Sequence, residues 1–535
     1  MKYWTCLAVA AFAIAFDWGE IVGFARFGAA RCCDWHGRAY CGNGAHSDAY
    51  RQIVEENLPR GYDLYFCTGD NERLDPVDRT THLALSWERC PTPVRYGSAQ
   101  NVAGASAVVA SRYLHEKFPG YAPVAANASA ILWIREDILR ATVGRDGRRG
   151  AFSPFREFFG ASVVCLVVAA CVFSLIRGSV ESSGVAVLSA SVFFYIAGWL
   201  ALTHTFFAPT GLGVYGGKAR LLFLSWGIPH GFFVDAAYSS YQPAYPPFFA
   251  LLTFAAYVIS GGCGEWMTQL IGVFIAGMTL YVSIAASKSG IAGATLLFAF
   301  FLCGPSLLMS SLYYAEPLMA LFALIGFVRV GEKPHDWYGW LLLGCCGLVK
   351  AEGLIVFGAV VVAAVVGNLF RGIGMTAKVN MLLSIGLRAA VAAIAPVAWL
   401  IFVHMIGAEF YDYSFWAPDR DRFVVALSYL LRCAFCESWR YAFVYPLVAA
   451  AVAWSVMRKK RIPTGLTMAF ACFLVCLLGF SYVYSLSTVE DFNWHLETSA
   501  VRLLWTPGIV VLVCLLRVES HSWTVGTRSH ITSTD

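Results

Sequence analysis

Apolar positions dominate this chain in long runs, many of roughly 17–22 residues, the length a helix needs to cross a hydrocarbon core of about 30 Å. The runs predict membrane spans at 160–177, 185–206, 267–287, 291–310, 315–330, 338–349, 353–370, 382–405, 440–457, 464–486 and 504–517. One run is different. YPPFFALLTFAAYVIS, residues 245–260, is too short to cross comfortably, and it predicts a helix lying at or dipping into the membrane surface. At the N-terminus, residues 1–16 combine one Lys with an apolar stretch, the pattern of a signal sequence or signal anchor.

Two segments interrupt the apolar pattern. Residues 17–156 contain no span and mix short alternating runs with polar ones, which predicts a small α/β domain. Strands are expected at 62–67 and 93–97, and helices at 78–87 and 98–118. Cys32, Cys33, Cys41, Cys67 and Cys90 fall here and could pair in an exported domain, with Cys67 to Cys90 the first choice. Asn127 begins an Asn-Ala-Ser acceptor triplet. The second interruption, residues 203–247, is rich in aromatics, Pro and Gly and carries Lys218, Arg220, His230 and Asp235. Backbone without helical period cannot face lipid unpaired, so this segment must lie on the surface or line a cavity.

Composition sharpens the class. The 535 residues are 58% hydrophobic and only 14% charged, whereas a soluble chain carries about 25% charge. The fold class expected is mostly α: a polytopic helical membrane protein of about 11–12 spans with a small extracytoplasmic α/β domain. Its parts are a leader or anchor at 1–16, the soluble domain at 17–156, the transmembrane domain at 157–520 and a cytoplasmic tail at 521–535. A net charge of +5, spread over loops with no basic stripe, gives no reason to expect nucleic acid.

Basic residues set the orientation. Placing residues 245–260 at the surface puts Arg329 and Lys333, Arg371 and Lys378, and the run Arg458 to Arg461 on one side, the cytoplasmic side. The soluble domain and the loop 207–247 then lie on the extracytoplasmic side. Unusual polar residues collect on the same outer face: Glu316, Lys350, Glu352, His495, Thr498, Ser499 and Arg502, with Asp412 and Asp419 to Arg422 in another outer loop. Ionisable groups at membrane depth cost about 2.5–3.5 kcal/mol each on insertion scales, so they usually mark function.

Several stretches carry a resemblance. GGKARLLFL (216–224), YQPAYPPFFALL (241–252), YYAEPLMALF (313–322), GLVKAEGLIVF (347–357) and WHLETSAVRLLWTPGIV (494–510) occur in this order. Together they resemble motifs of the C-type membrane glycosyltransferases, the GT-C family, in its bacterial RgtA/B/C/D-like branch. The resemblance implies transfer of a sugar from a polyprenyl-phosphate carrier to a glycan or lipid acceptor on the outer face. It implies that Lys218, Lys350 and Arg502 hold the phosphate, that His495 bonds phosphate or acceptor, and that Glu352 and Tyr245 complete the substrate-binding set. Cations are what a phosphate leaving group requires.

The chain departs from the family where an acid is expected. GLGVYGGKAR has no carboxylate, and Ala244 precedes Tyr-Pro-Pro. Asp235 is the one carboxylate in residues 203–247, so it is the expected catalytic base, with Glu316 the next candidate. A divalent metal is possible where two acids meet phosphate, though no ligand cluster demands it. The alternative is a non-catalytic membrane protein of the same architecture that binds or presents lipid-linked glycan.

Overall fold

The structure is a computed structural model. It describes residues 64–67, 94–97, 107–111, 121–126, 130–135, 162–170, 172–173, 184–203, 214–229, 231–234, 238, 241–263, 265–311, 313–369, 374–408, 418–441, 443–457, 463–489 and 492–528. Of the N-terminal region it describes five strands: β1 (Leu64–Cys67), β2 (Val94–Gly97), β3 (Ala107–Ser111), β4 (Tyr121–Ala126) and β5 (Ala130–Arg135). They form one mixed sheet in the order β2-β1-β3-β5-β4. β1 runs parallel to β2 and β3, and β5 runs antiparallel to β3 and β4.

β1 and β2 fall where strands were expected. The helix expected over 98–118 is corrected: AVVAS at 107–111 is the central strand β3, with Val108 and Val109 fully buried. An Ala-rich context favours helix locally, but pairing on both sides of β-branched Val108 and Val109 decides for strand. The helix expected at 78–87, Asn127, and all the cysteines of the proposed pairings except Cys67 lie outside the described residues.

From residue 162 onward the described chain is helical. The elements are α1 (Gly184–Thr203), α2 (Gly217–Ser225), α3 (Phe248–Ser260), α4 (Glu265–Ser287), α5 (Gly290–Leu302), α6 (Gly304–Ser311) and α7 (Glu316–Glu332). There follow α8 (Trp337–Val349), α9 (Gly353–Leu369), α10 (Met375–Met405), α11 (Arg420–Phe435), α12 (Val444–Met457), α13 (Thr464–Ser485) and α14 (Phe492–Arg528). Among the described residues, α1, α4, α10, α13 and α14 are long and apolar enough to cross a membrane. The chain is therefore a multi-pass helical membrane protein.

Burial separates the centre from the rim. The apolar windows of α4 and α14 are each 89% buried, while that of α10 is 22% buried and presents Leu383, Leu387, Ile394 and Ile401 outward. α4 and α14 touch each other and both touch α7, so these three form the middle of the bundle, and α10 is an outer helix packed on α8 and α9.

Three details depart from the expected spans. The run 291–310 is two helices broken at Cys303, whose backbone is extended (φ −54°, ψ 139°) before Pro305. Proline cannot donate to the preceding turn, and Ser306 Oγ donates to Phe300 O (2.8 Å) across the break. The segment 420–435, expected as loop, is helix α11, capped by Asp419, whose side chain accepts from the amides of Asp421 (2.8 Å) and Arg422 (3.2 Å). Its charged first turn, with Arg432 near the other end and a short apolar run between, suits a surface-lying helix better than a span. Finally α14 begins at Phe492 and runs past position 520, so the stretch around His495 and Arg502 is the start of that helix and not a loop ahead of it.

The short helix expected over 245–260 is α3. Its 13 residues reach about 20 Å at 1.5 Å per residue, less than a hydrocarbon core. It ends at Gly261, which takes φ 68° and donates its amide to Tyr257 O (2.9 Å), a left-handed cap that suits glycine.

Candidate functional site

Polar residues spread in sequence from Glu316 to Arg502 meet at one end of the bundle.

Glu316 is the first residue of α7, Lys350 and Glu352 occupy the turn between α8 and α9, and Arg502 lies in the third turn of α14. Lys350 Nζ lies 3.1 Å from Glu316 Oε1 and 3.3 Å from Glu352 Oε1. Arg502 Nη1 lies 3.7 Å from the same Glu316 oxygen. Two carboxylates and two cations thus form one network, with Glu316, Lys350 and Glu352 buried and the Arg502 side chain 17% exposed.

Local sequence explains each placement. Lys350 is extended at the end of α8, and Gly353 N donates to Lys350 O (2.9 Å) to close the turn. A side chain at Gly353 would have its Cβ 2.0 Å from Cys346 O, so only glycine lets α9 start there. Ahead of Glu316, Tyr313 takes φ 59° and stacks on Phe249 with ring centroids 4.2 Å apart. Tyr314 lies under the Arg502 guanidinium (4.9 Å to the ring centre), and Arg502 Nε donates to Thr498 O (3.0 Å). Burial works against the charge of Lys350, but Glu316 and then Glu352 outweigh it and hold the ammonium above the ordinary lysine range.

Lys218 stands apart from this network. It is 3% exposed, it donates to Tyr245 O (2.8 Å), and its ammonium lies 5.9 Å from the centre of the Tyr245 ring. Gly217 sits against the Tyr241 ring, where a Cβ would come within 2.9 Å. No carboxylate among the described residues pairs with Lys218, and burial pushes its ammonium well below the ordinary lysine range. Tyr215, three residues earlier, is buried with its ring edge-on to Phe249, and burial first, then the charges of Glu316 and Glu352, push its phenol well up.

His495 is held in the first turn of α14. Its Nδ1 shares a hydrogen bond with Ser487 Oγ (2.9 Å), and its ring lies edge-on to Tyr484. Tyr484 and Ser499 are hydrogen-bonded at 2.6 Å, which ties α13 to the same turn of α14. Arg422 of α11 donates to Ser487 O and packs over Phe492 (5.0 Å), fixing the α13–α14 turn from the other side. His230, Asp235 and Asp412 lie outside the described residues.

The arrangement brings together Glu316, Lys350, Glu352 and Arg502, but not Lys218. Tyr215 and Tyr314 were not singled out from sequence; their signal is only position, beside Lys218 and Glu316 in the two motifs. A divalent ion does not fit between Glu316 and Glu352, because the Lys350 ammonium already bridges them. Among the described residues no group of three His, Cys, Asp or Glu could hold a metal.

No family profile and no curated protein matches the chain. Among solved structures, a likeness is found to the crystal structure of ArnT from Cupriavidus metallidurans bound to undecaprenyl phosphate. It has 19% identity and a TM-score of 0.41, and it covers 65% of this chain and 63% of that one. The chain thus spans under two thirds of that structure's length.

Proposed function

We propose that this protein is a glycosyltransferase of the GT-C type that takes a sugar from a polyprenyl-phosphate carrier and moves it to an acceptor on the extracytoplasmic face. The observation that carries this reading is Lys218, a buried ammonium with no carboxylate partner among the described residues. A buried cation without a counter-ion is costly, and an anionic ligand relieves that cost. The ordered motifs around Lys218, Tyr245, Glu316, Lys350 and Arg502 support the same reading.

In the reaction, an acceptor hydroxyl attacks the anomeric carbon and the bond from that carbon to the phosphate oxygen breaks. The carrier phosphate leaves with the bonding pair, and the hydroxyl proton passes to a carboxylate. Lys218 stabilises the leaving phosphate, with Arg502 the most exposed cation of the neighbouring network. Glu316, shared by Lys350 and Arg502, suits a fixed counter-charge better than a proton acceptor. Asp235 is the proposed base.

The test is transfer in proteoliposomes from undecaprenyl phosphate carrying a labelled sugar. Asp235→Asn is expected to abolish transfer and keep carrier binding, and Lys218→Met to lose carrier binding. A second reading, a non-catalytic binder of lipid-linked glycan, is favoured by the engagement of Glu316 and Glu352 with Lys350. Carrier binding without transfer in the unaltered protein would establish that second reading over the first.

A further inference from the structure

Among the described residues, the buried polar atoms that lack a hydrogen-bond partner include the Tyr215 hydroxyl and Glu352 Oε2. Tyr215 is 1% exposed and Glu352 is 6% exposed. Buried polar atoms are nearly always satisfied, so these two orphans call for an explanation. Glu352 Oε1 meets Lys350 at 3.3 Å, and Glu316 takes both Lys350 and Arg502. Tyr215 is held by its ring, which lies edge-on to Phe249 with centroids 5.6 Å apart, and Phe249 is itself stacked on Tyr313.

We propose that the Tyr215 hydroxyl and Glu352 Oε2 form a subsite for vicinal hydroxyls of the transferred sugar, distinct from the place where Lys218 meets phosphate. This rests on the carrier-linked donor reading above. The chemistry of the two groups selects the ligand. A carboxylate oxygen only accepts, so it takes a hydroxyl that donates. Burial, and then the charges of Glu316 and Glu352, keep the Tyr215 phenol protonated well above its usual value, so it donates to a second hydroxyl. The formal charges of Glu316, Glu352, Lys350 and Arg502 sum to zero. A phosphate would bring net negative charge to a neutral network and would meet the bare oxygen of Glu352. A neutral polyol meets neither difficulty.

The experiment measures binding to the full chain in nanodiscs, with undecaprenyl phosphate and the same carrier bearing glucose, mannose or arabinose as probes. At least one loaded carrier is expected to bind more tightly than the bare one. Tyr215→Phe is expected to weaken that loaded carrier by about threefold to tenfold, the loss of one neutral hydrogen bond. It should leave bare-carrier binding unchanged and the melting temperature unchanged or raised, because the phenol oxygen has no protein partner to lose. Glu352→Gln, which also touches Lys350, should weaken the loaded carrier too.

Three results would overturn the subsite. Tyr215→Phe could weaken bare and loaded carriers equally, which would mark a phosphate contact. It could lower the melting temperature without changing binding, which would mark a structural bond to water. Or the unaltered protein could bind all three loaded carriers no better than the bare one, which leaves the carrier reading standing and removes sugar recognition. Failure of the unaltered protein to bind any carrier would instead remove the donor reading, and this subsite with it.

Discussion

Helix α7 carries charge at both ends, and the two ends are built differently. At its start Glu316 is 1% exposed, pairs with Lys350 and Arg502, and shares Lys350 with Glu352. At its far end Arg329 pairs with Asp336 and Glu332 pairs with Arg517, with side chains 12–32% exposed. Partly exposed pairs contribute about 0–1 kcal/mol and survive as ordinary surface chemistry. A buried four-charge network has to offset the desolvation of every member, and apolar packing often serves stability as well or better. Stability alone is therefore a weak reason for the network at Glu316, whereas it is reason enough for the pairs at Glu332 and Asp336. The contrast is what marks one end of the bundle as the site.

The largest effect separating the two ends is expected from Glu316→Ala. It strands Lys350 and Arg502 without their shared carboxylate, and breaking a buried pair typically costs about 3–5 kcal/mol. Thermal unfolding in detergent should show a large loss, and transfer should fall with it. A melting temperature close to that of the unaltered protein would mean that water reaches the network and that the two ends do not differ in kind.

Lys218→Met sharpens the comparison from the other side, because Lys218 is buried with no carboxylate to strand. Carrier affinity should fall by about 10- to 100-fold, the worth of a hydrogen bond to a charged group, while stability holds or rises. The pH dependence follows with a definite sign. Burial lowers the folded-state value of Lys218, so the unfolded chain binds the proton more readily. Stability therefore rises with pH between the depressed folded value and the ordinary lysine value. Carrier binding needs the ammonium, so affinity should fall as pH rises through the depressed value. Calorimetry in buffers of different ionisation enthalpy should register proton uptake on binding, and uptake that persists in Lys218→Met would assign the proton elsewhere.

Much of this contrast is legible in the chain, and the limits have physical causes. Apolar run length locates most helices, since 185–206, 267–287, 353–370 and 464–486 each lie within a few residues of α1, α4, α9 and α13. It misses α11, whose charged first turn and Arg432 leave only a short apolar run between them, although Asp419 is a recognisable cap. It also runs through the break at Cys303, where Gly304-Pro305 was the available sign. A shared face groups Glu316, Lys350, Glu352 and Arg502, but which cation meets which acid depends on helix packing over long sequence separations. Tyr215 carries no charge and sits in a Gly-rich stretch, so nothing in its neighbourhood singles it out until its buried hydroxyl is seen beside the network.

The smallest effect belongs to the far end. Glu332→Gln removes the partner of Arg517, a contact joining α7 to α14 across 185 residues of sequence. Both side chains keep part of their hydration, at 32% and 19% exposure, so water takes up much of what the substitution removes. The change in unfolding free energy should stay within about 1 kcal/mol. It should shrink further as salt is raised, because exposed charges are screened over a Debye length of about 8–10 Å at physiological ionic strength. Carrier binding should not change, since Glu332 lies sixteen residues along α7 from Glu316, about 24 Å at the helical rise. A loss of carrier affinity in Glu332→Gln would show that the two ends of α7 are coupled, and the division between a functional end and a merely solvated one would then have to be abandoned.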